Sequence, residues 1–167
     1  MSNLVDCVTS CSGCSGGLIT PAYDYVISEQ NGKFILEDDY KYEAIEGTCK
    51  FAKYQPVGSI SKYINVVEGD EEDLAAKVEN YGPVAVAIDA GQWSFQLYSG
   101  GIYDEPNCSP YNLDHAVGCI GYGVEDGTKY WIVKNSWGTS WGEQGFIRMV
   151  WNNNQCGIAT MATVPLV

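Results

Sequence analysis

A chain of 167 residues, 46% of them hydrophobic, is long enough for one domain or for two small lobes that share an interface. Nine Lys and Arg against 21 Asp and Glu leave a formal net charge of −12; this repels phosphate backbones and anionic lipid head groups, so nucleic-acid and membrane partners are disfavoured. No apolar run approaches the roughly 20 residues that span a bilayer, and Met1 to Asp6 lacks the basic start and apolar stretch of a secretory signal.

Up to about residue 54 the pattern is one helix among loops. Thr20-Pro21 predicts an N-cap and a first-turn proline, Ala22, Tyr23, Val26 and Ile27 recur near helical spacing, and Asn31-Gly32 stops the helix. Asp70 is expected to cap a second helix over 71–81, with acidic residues in its first turn, Leu74, Val78 and Tyr81 on one face, and Gly82-Pro83 at its end. The periodicity then becomes β-like: 84–89, 116–122, 130–135 and 145–150 read as strands, and Glu125-Asp126-Gly127-Thr128 as a two-residue hairpin turn. The pattern predicts an α+β chain, with residues 1–54 in a helical lobe, 55–167 in a β-rich lobe, and a site in the cleft between them.

Seven widely spaced cysteines fit an oxidising compartment and some disulfides. The odd count means that one has lost its partner, pairs between molecules or stays free. Asn107-Cys108-Ser109 has the form of a glycosylation acceptor, weakened by the cysteine at its middle position.

His115 is the only histidine, and a lone histidine near an apolar strand is more often structural than catalytic. Its setting argues otherwise. It opens a strand of small residues, and Asn135 ends the next strand across the hairpin, so the two ends can lie side by side. The amide oxygen can then accept from one imidazole nitrogen, fix the tautomer and leave the other nitrogen free for chemistry.

These residues belong to a longer run of motifs: Asn3-Leu4-Val5-Asp6-Cys7, Gly13-Cys14-Ser15-Gly16-Gly17-Leu18, Gly82-Pro83-Val84-Ala85-Val86-Ala87-Ile88, Gly100-Gly101-Ile102-Tyr103, Leu113-Asp114-His115 and Lys134-Asn135-Ser136-Trp137-Gly138 through Trp141-Gly142. In this order they resemble the papain-like cysteine peptidases, most closely the cathepsin L-like group, over essentially the whole chain. The resemblance implies a two-lobed fold, with an incomplete helical lobe and a β-barrel-like lobe. It also implies that His115 is the general acid/base of peptide-bond hydrolysis and Asn135 its orienter. Trp137 would cover their hydrogen bond and Trp141 would help wall the site, alongside any role of both in the core.

By the same resemblance, Gly16 and Gly17 pair with substrate as an added strand; a tight turn is the plainer use of two glycines. Leu18, Ile19, Ala87, Leu113, Ala116 and Met161 would line the pocket for the residue two before the cleaved bond, beside Asp114. All six are apolar, which predicts a preference for Leu, Val or Phe. Ala116 stands where the family usually has glycine, and its methyl should narrow that pocket. Implied partners are peptide or protein substrates or protease inhibitors, and the implied location is lysosomal or secreted.

The family's nucleophile lies in a Gln-x-x-x-Cys-Gly-Ser-Cys-Trp segment, with the cysteine about 130–150 residues before its histidine and asparagine. No such segment occurs here, so nucleophile, oxyanion donors and a central helix are expected to be missing together and the chain to be inactive alone. The alternative is a non-catalytic member that binds peptides, inhibitors or another protease; an incomplete gene model is the third reading. Losing a core helix uncovers contacts of roughly 1.5–3 kcal/mol each, which predicts self-association, a partner that supplies the helix, or a mobile first lobe.

No cofactor is expected. Cys11-Ser12-Gly13-Cys14 resembles half of a zinc or redox site, but one histidine and scattered cysteines do not complete a zinc shell, and the thioredoxin-like βαβ context is absent. The resemblance pairs Cys7 with Cys49 and Cys108 with Cys156. It leaves Cys14 free or closed onto Cys11, and Cys119 a buried free thiol.

Overall fold

The computed structural model describes residues 2–167. They form two compact units, residues 2–63 with Pro165–Val167, and Ile64–Val164. No described helix is long and apolar enough to cross a membrane.

The first unit holds α1 (Ser2–Cys7), α2 (Ile19–Glu29), β1 (Lys33–Phe34) and β2 (Val57–Ser59), the two strands pairing antiparallel. Helix α2 begins before the expected Thr20 cap. Leu18 is the extended residue ahead of it and makes no side-chain cap. Thr20 and Pro21 fall in the first turn, where a missing N–H deprives no helical carbonyl of a donor. The far end stops as its sequence requires: Asn31 and Gly32 take φ of 51° and 71°, and Gly32 N–H donates to Val26 O at 2.8 Å. Polar ties hold the rest. The Asp6 carboxylate accepts from Tyr40 O–H at 2.6 Å and from Gly47 N–H at 2.7 Å, and buried Asn3 donates to buried Gln30 at 3.0 Å. Cys7 and Cys49 close a disulfide over this segment.

After β3 (Lys62–Asn65), the second unit carries α3 (Glu71–Tyr81), β4 (Val84–Ile88), α4 (Trp93–Gln96), β5 (Ile102–Tyr103), β6 (His115–Glu125), β7 (Thr128–Lys134), β8 (Phe146–Val150) and, through Val164, β9 (Met161–Leu166). The seven-stranded sheet runs β3-β9-β4-β6-β7-β8-β5. It is a mixed sheet in an α+β unit and does not close into a barrel: β3 and β5 are its edges and do not pair among the described residues. Short edge strands explain the outcome, since two residues of β5 cannot extend the ladder far enough to close it.

Helix α3 matches its sequence pattern except at Tyr81, which is 53% exposed while Ala75 takes its place in the core. Asp70 accepts from the N–H groups of Glu72 and Asp73, both at 3.0 Å, and Gly82 leaves the helix at φ 94°. Leu74, Ala75 and Val78 pack into one core with Val84, Val86, Ile88, Val133, Ile147 and Met149. Trp131, fully buried in that core, donates its indole N–H to Glu71 at 3.0 Å, so the first turn of α3 is fastened to β7. The β6–β7 turn has Asp126 and Gly127 both at positive φ, 49° and 81°, the conformation that matches strand twist in two-residue hairpins.

Candidate active site

The hairpin brings the two polar residues together. Its ladder runs from Glu125 opposite Thr128 to Gly118 opposite Lys134, with a register shift between Cys119 and Gly121. Two residues at the open end follow from it: His115 begins β6, held opposite Ile88 of β4, and Asn135 follows the last residue of β7, its N–H donating to Gly145 O at 2.9 Å. The strands therefore fix both backbones before any side-chain contact forms.

His115 Nε2 and Asn135 Oδ1 lie 2.8 Å apart. The same Oδ1 accepts from Ser136 N–H at 2.7 Å, which orients the amide. A carbonyl oxygen cannot donate, so Nε2 carries the proton and neutral His115 keeps Nδ1 as its base. Asn135 is 7% exposed, and its Nδ2 has no hydrogen-bond partner among the described residues. An aromatic cluster packs against the pair. Trp137 lies 5.0 Å from the His115 ring at 33°, Phe95 meets Trp137 edge-on at 5.6 Å, and Trp141 stands behind Trp137 at 5.4 Å with its indole N–H on Gln96 O.

The turn that carries Trp141 is braced from below. Arg148 grips Glu143 with two nitrogens, at 2.9 and 2.8 Å, and Glu125 with a third at 2.8 Å. The guanidinium hydrogen bonds hold the Glu143 carboxyl below its usual range, and Glu143 in turn accepts from Gly101 N–H at 3.0 Å.

An open groove of about 500 Å³ lies against His115, lined by Ala90, Gly91, Gln96, Asp114 and Trp137. Asp114 shapes it by accepting from Ala90 N–H at 2.8 Å. Buried Asp89 sets the adjoining turn, accepting from Gly91 N–H at 3.1 Å and Ser109 N–H at 2.7 Å. Phe95, Gln96, Ala90 and Gly91 were not singled out from sequence. The available signal was the small Ala90-Gly91 pair directly after a strand, where a chain must turn without filling the space.

Of the expected pocket residues, Ala87, Ala116 and Met161 stand directly opposite one another across β6, β4 and β9, on one face of the sheet. Leu113 seats on Gly157, where an added Cβ would come within 2.5 Å of its Cδ2. Gly16, Gly17, Leu18 and Ile19 belong to the first unit, where Leu18 is 56% exposed and Gly16 takes φ 103° in the turn before α2. The two expected disulfides, Cys7–Cys49 and Cys108–Cys156, are present. Cys11, Cys14 and Cys119 are free; Cys119 is buried, and its desolvation pushes the thiol up to about 12.

Comparison with known proteins places this geometry. A family model described as papain family cysteine protease matches residues 1–166. The chain is 50% identical to cathepsin L of Sarcophaga peregrina over 99% of its own length and 49% of that protein. It is 47% identical to digestive cysteine proteinase 2 of Homarus americanus, over 98% of this chain and 51% of that one. The solved structure of digestive procathepsin L 3 from Tenebrio molitor larval midgut superposes with a TM-score of 0.93 at 43% identity, covering 99% of this chain and 54% of that chain. The chain thus spans about half the length of the curated relatives it matches.

Proposed function

The chain belongs to the papain family of cysteine proteases, and from that membership we propose that His115 and Asn135 form the acid/base half of a cysteine-type endopeptidase site. The observation that carries the proposal is the 2.8 Å bond between His115 Nε2 and Asn135 Oδ1. It leaves Nδ1 to take a proton from a thiol. The thiolate then attacks the peptide carbonyl carbon, and the imidazolium returns the proton to the leaving amine. Asn135 keeps the ring in place through both transfers, and Trp137 keeps water from competing for its oxygen. Within the second unit, Ala87, Leu113, Ala116 and Met161 select an apolar residue two before the cleaved bond; within the first, Gly16-Gly17 offers a strand edge to a peptide, with apolar Leu18 and Ile19 next to it in sequence.

The thiol is the missing part. Among the described residues no cysteine sulfur hydrogen-bonds His115, and Cys119, the free thiol nearest to it in sequence, is held protonated near neutral pH by burial. The 167-residue chain alone is therefore expected not to cut. Incubation with a fluorogenic dipeptide amide bearing Phe or Leu beside Arg checks this; turnover that vanishes in Cys11→Ser or Cys14→Ser would overturn it.

A second reading, a pseudoprotease that binds peptides, protease inhibitors or another protease, draws on the open groove at His115 and the apolar row beside it. Calorimetric titration with a peptide aldehyde separates the two, since a silent titration at millimolar ligand counts against binding. Exposed Ile120, Tyr122 and Val124 along β6 support the further proposal of self-association or of a partner that supplies a central helix. A compact monomer on sedimentation would argue against it. Two disulfides fit an oxidising compartment, and we place the protein in a lysosome or outside the cell.

A further inference from the structure

The turn from Gly138 to Gly145 carries Trp141 and follows directly on Trp137, yet of its residues only Gly145 is buried. Its backbone is unusual. Gly138, Gly142 and Gly145 take φ of 86°, 56° and 92°, and Gln144, which has a Cβ, takes 57°. A left-handed residue other than glycine persists only where its surroundings hold it. Glu143 supplies the hold. Its Oε1 accepts from Gly101 N–H at 3.0 Å and from Arg148 Nη2 at 2.8 Å, and its Oε2 accepts from Arg148 Nε at 2.9 Å. Arg148 of β8 is itself fixed by register opposite Ile132 of β7, and its backbone N–H donates to the Tyr98 hydroxyl at 3.3 Å. Measured between ring centroids, Tyr98 lies 5.6 Å from Trp141, Trp141 5.4 Å from Trp137, and Trp137 5.0 Å from His115. Contact is therefore continuous from Arg148 to the imidazole.

We propose that Arg148 is a positioning residue for the His115–Asn135 pair, which it reaches through Glu143 and the turn that sets the tilt of Trp137. The inference rests on the reading of that pair as acid/base and orienter, and adds to it a group that touches neither residue. Two carboxylates meet the guanidinium, and they differ. Glu125 bonds to Arg148 Nη1 at 2.8 Å but is 53% exposed, so water competes for the pair and little is gained. Glu143 is 32% exposed and takes the fork of two bonds, which fixes an orientation as well as a distance. Only Glu143 belongs to the turn. The coupling to His115 therefore runs through Glu143, and Glu125 is a bystander. Lysine at position 148 would keep the charge but could not form the fork, so it would preserve only part of the hold. Without the fork the turn keeps its own backbone bonds, Glu143 N–H to Phe146 O at 2.9 Å and Gly145 N–H to Trp141 O at 2.8 Å, and loses the tie that aims its side chains.

His115 is the only histidine, so its ring protons and nitrogens report on the site without ambiguity. The test records them by NMR in the 167-residue chain and follows solvent exchange of the Trp141 indole N–H, which donates to Gln96 O at 3.1 Å. Arg148→Met should move the His115 ring-proton shifts, through the changed ring current of Trp137. It should also speed Trp141 indole exchange about tenfold or more, the size of effect that one lost charge-assisted bond gives. Glu143→Gln should move both readings in the same direction, and Arg148→Lys should fall between the parent and Arg148→Met. The double variant Arg148→Met with Glu143→Gln should go no further than Arg148→Met alone. Glu125→Gln should leave both readings at parent values. Amide protection in β4 and β6 should hold throughout, which separates lost positioning from lost fold; should Arg148→Met unfold the chain, Glu143→Gln and Arg148→Lys carry the same comparison. Unmoved His115 shifts, additive effects in the double variant, an equal response to Glu125→Gln, or protection that falls in every variant would each overturn the proposal. A parent chain whose neutral ring is a mixture of tautomers would instead overturn the reading of His115 and Asn135 on which it rests.

Discussion

The two units are held by different forces. The first buries, among its described apolar groups, Val8, Val26, Tyr40, Ile60 and the Cys7 sulfur; the second buries a continuous core from Val66 to Val164 built on a seven-stranded sheet. Asp6, Tyr40, Asn3 and Gln30 supply specific polar ties where the first unit lacks apolar area, and a disulfide fastens the same segment. Polar ties contribute about 1 kcal/mol each, because folding exchanges them for bonds to water, whereas a buried large side chain contributes roughly 1.5–3 kcal/mol. The second unit can therefore fix the His115–Asn135 hydrogen bond by sheet register, while the first depends on covalent closure.

The largest test of this contrast is Trp131→Ala. The residue is fully buried, stacks on Trp151 with centroids 4.3 Å apart and donates to Glu71. Its loss should destabilise the second unit by about 3–5 kcal/mol. Chemical denaturation followed by the remaining tryptophans measures it, and a loss under 1 kcal/mol would mean that the core is not the source of stability. Next comes the double replacement Cys7→Ser with Cys49→Ser. Opening a closure that spans 42 residues should cost about 4 kcal/mol in the chain-entropy picture. Hydrogen exchange should show protection lost in residues 2–63 and retained in β4, β6 and β7; uniform loss across both units would erase the distinction.

Legibility from sequence follows the same divide. Helix α3 was readable because its cap, its apolar stripe and its terminal Gly82 are all local. The β6–β7 turn was readable because Asp126-Gly127 alone specifies two positive φ values. The pairing of His115 with Asn135 inherited that legibility, since one hairpin carries both. Strand β9 was not readable: Met161–Leu166 does not alternate and contains Pro165, and it becomes a strand by pairing with β4, more than 70 residues earlier. Phe95 was equally hidden, because only tertiary structure sets it edge-on beneath Trp137. The start of α2 was misplaced by two residues because Thr20 looked like a cap, while the helix begins after Leu18 without a side-chain cap at all.

A smaller effect separates the units by pH. Burial first, and then the hydrogen bond to Asp6, push the Tyr40 pKa from 10.0 to about 12. A raised folded pKa means that the native state holds the proton more tightly, so this stabilisation is complete below pH 10 and is lost as pH rises toward about 12. In the second unit Cys119 acts in the same direction over a wider window, from 9.0 to about 12. Tyr40→Phe should reduce the alkaline loss of the first unit, to which Tyr23 and Tyr63 also contribute, and leave that of the second; Cys119→Ala should reduce that of the second, to which Tyr98 and Tyr103 also contribute, and leave the first. Exchange protection followed between pH 9 and 12 distinguishes them; if both variants flatten the same unit, the assignment fails.

The least costly change is the most informative about the site. Asn135→Ala removes one neutral acceptor from His115 and, with it, a buried Nδ2 that has no partner of its own. The lost bond and the relieved orphan oppose each other, each on the order of 1 kcal/mol, so global stability should change little. The tautomer should change. With Oδ1 gone nothing holds the proton on Nε2, and ¹⁵N shifts of the neutral ring should move from one Nε2–H form to a mixture of both. Ser136 N–H loses its acceptor at the same time, so the turn before Trp137 loosens and the indole 5.0 Å from His115 loses its fixed tilt. If the neutral ring of Asn135→Ala stays wholly Nε2-protonated, then something other than Asn135 orients His115, and the sheet register alone is a sufficient cause.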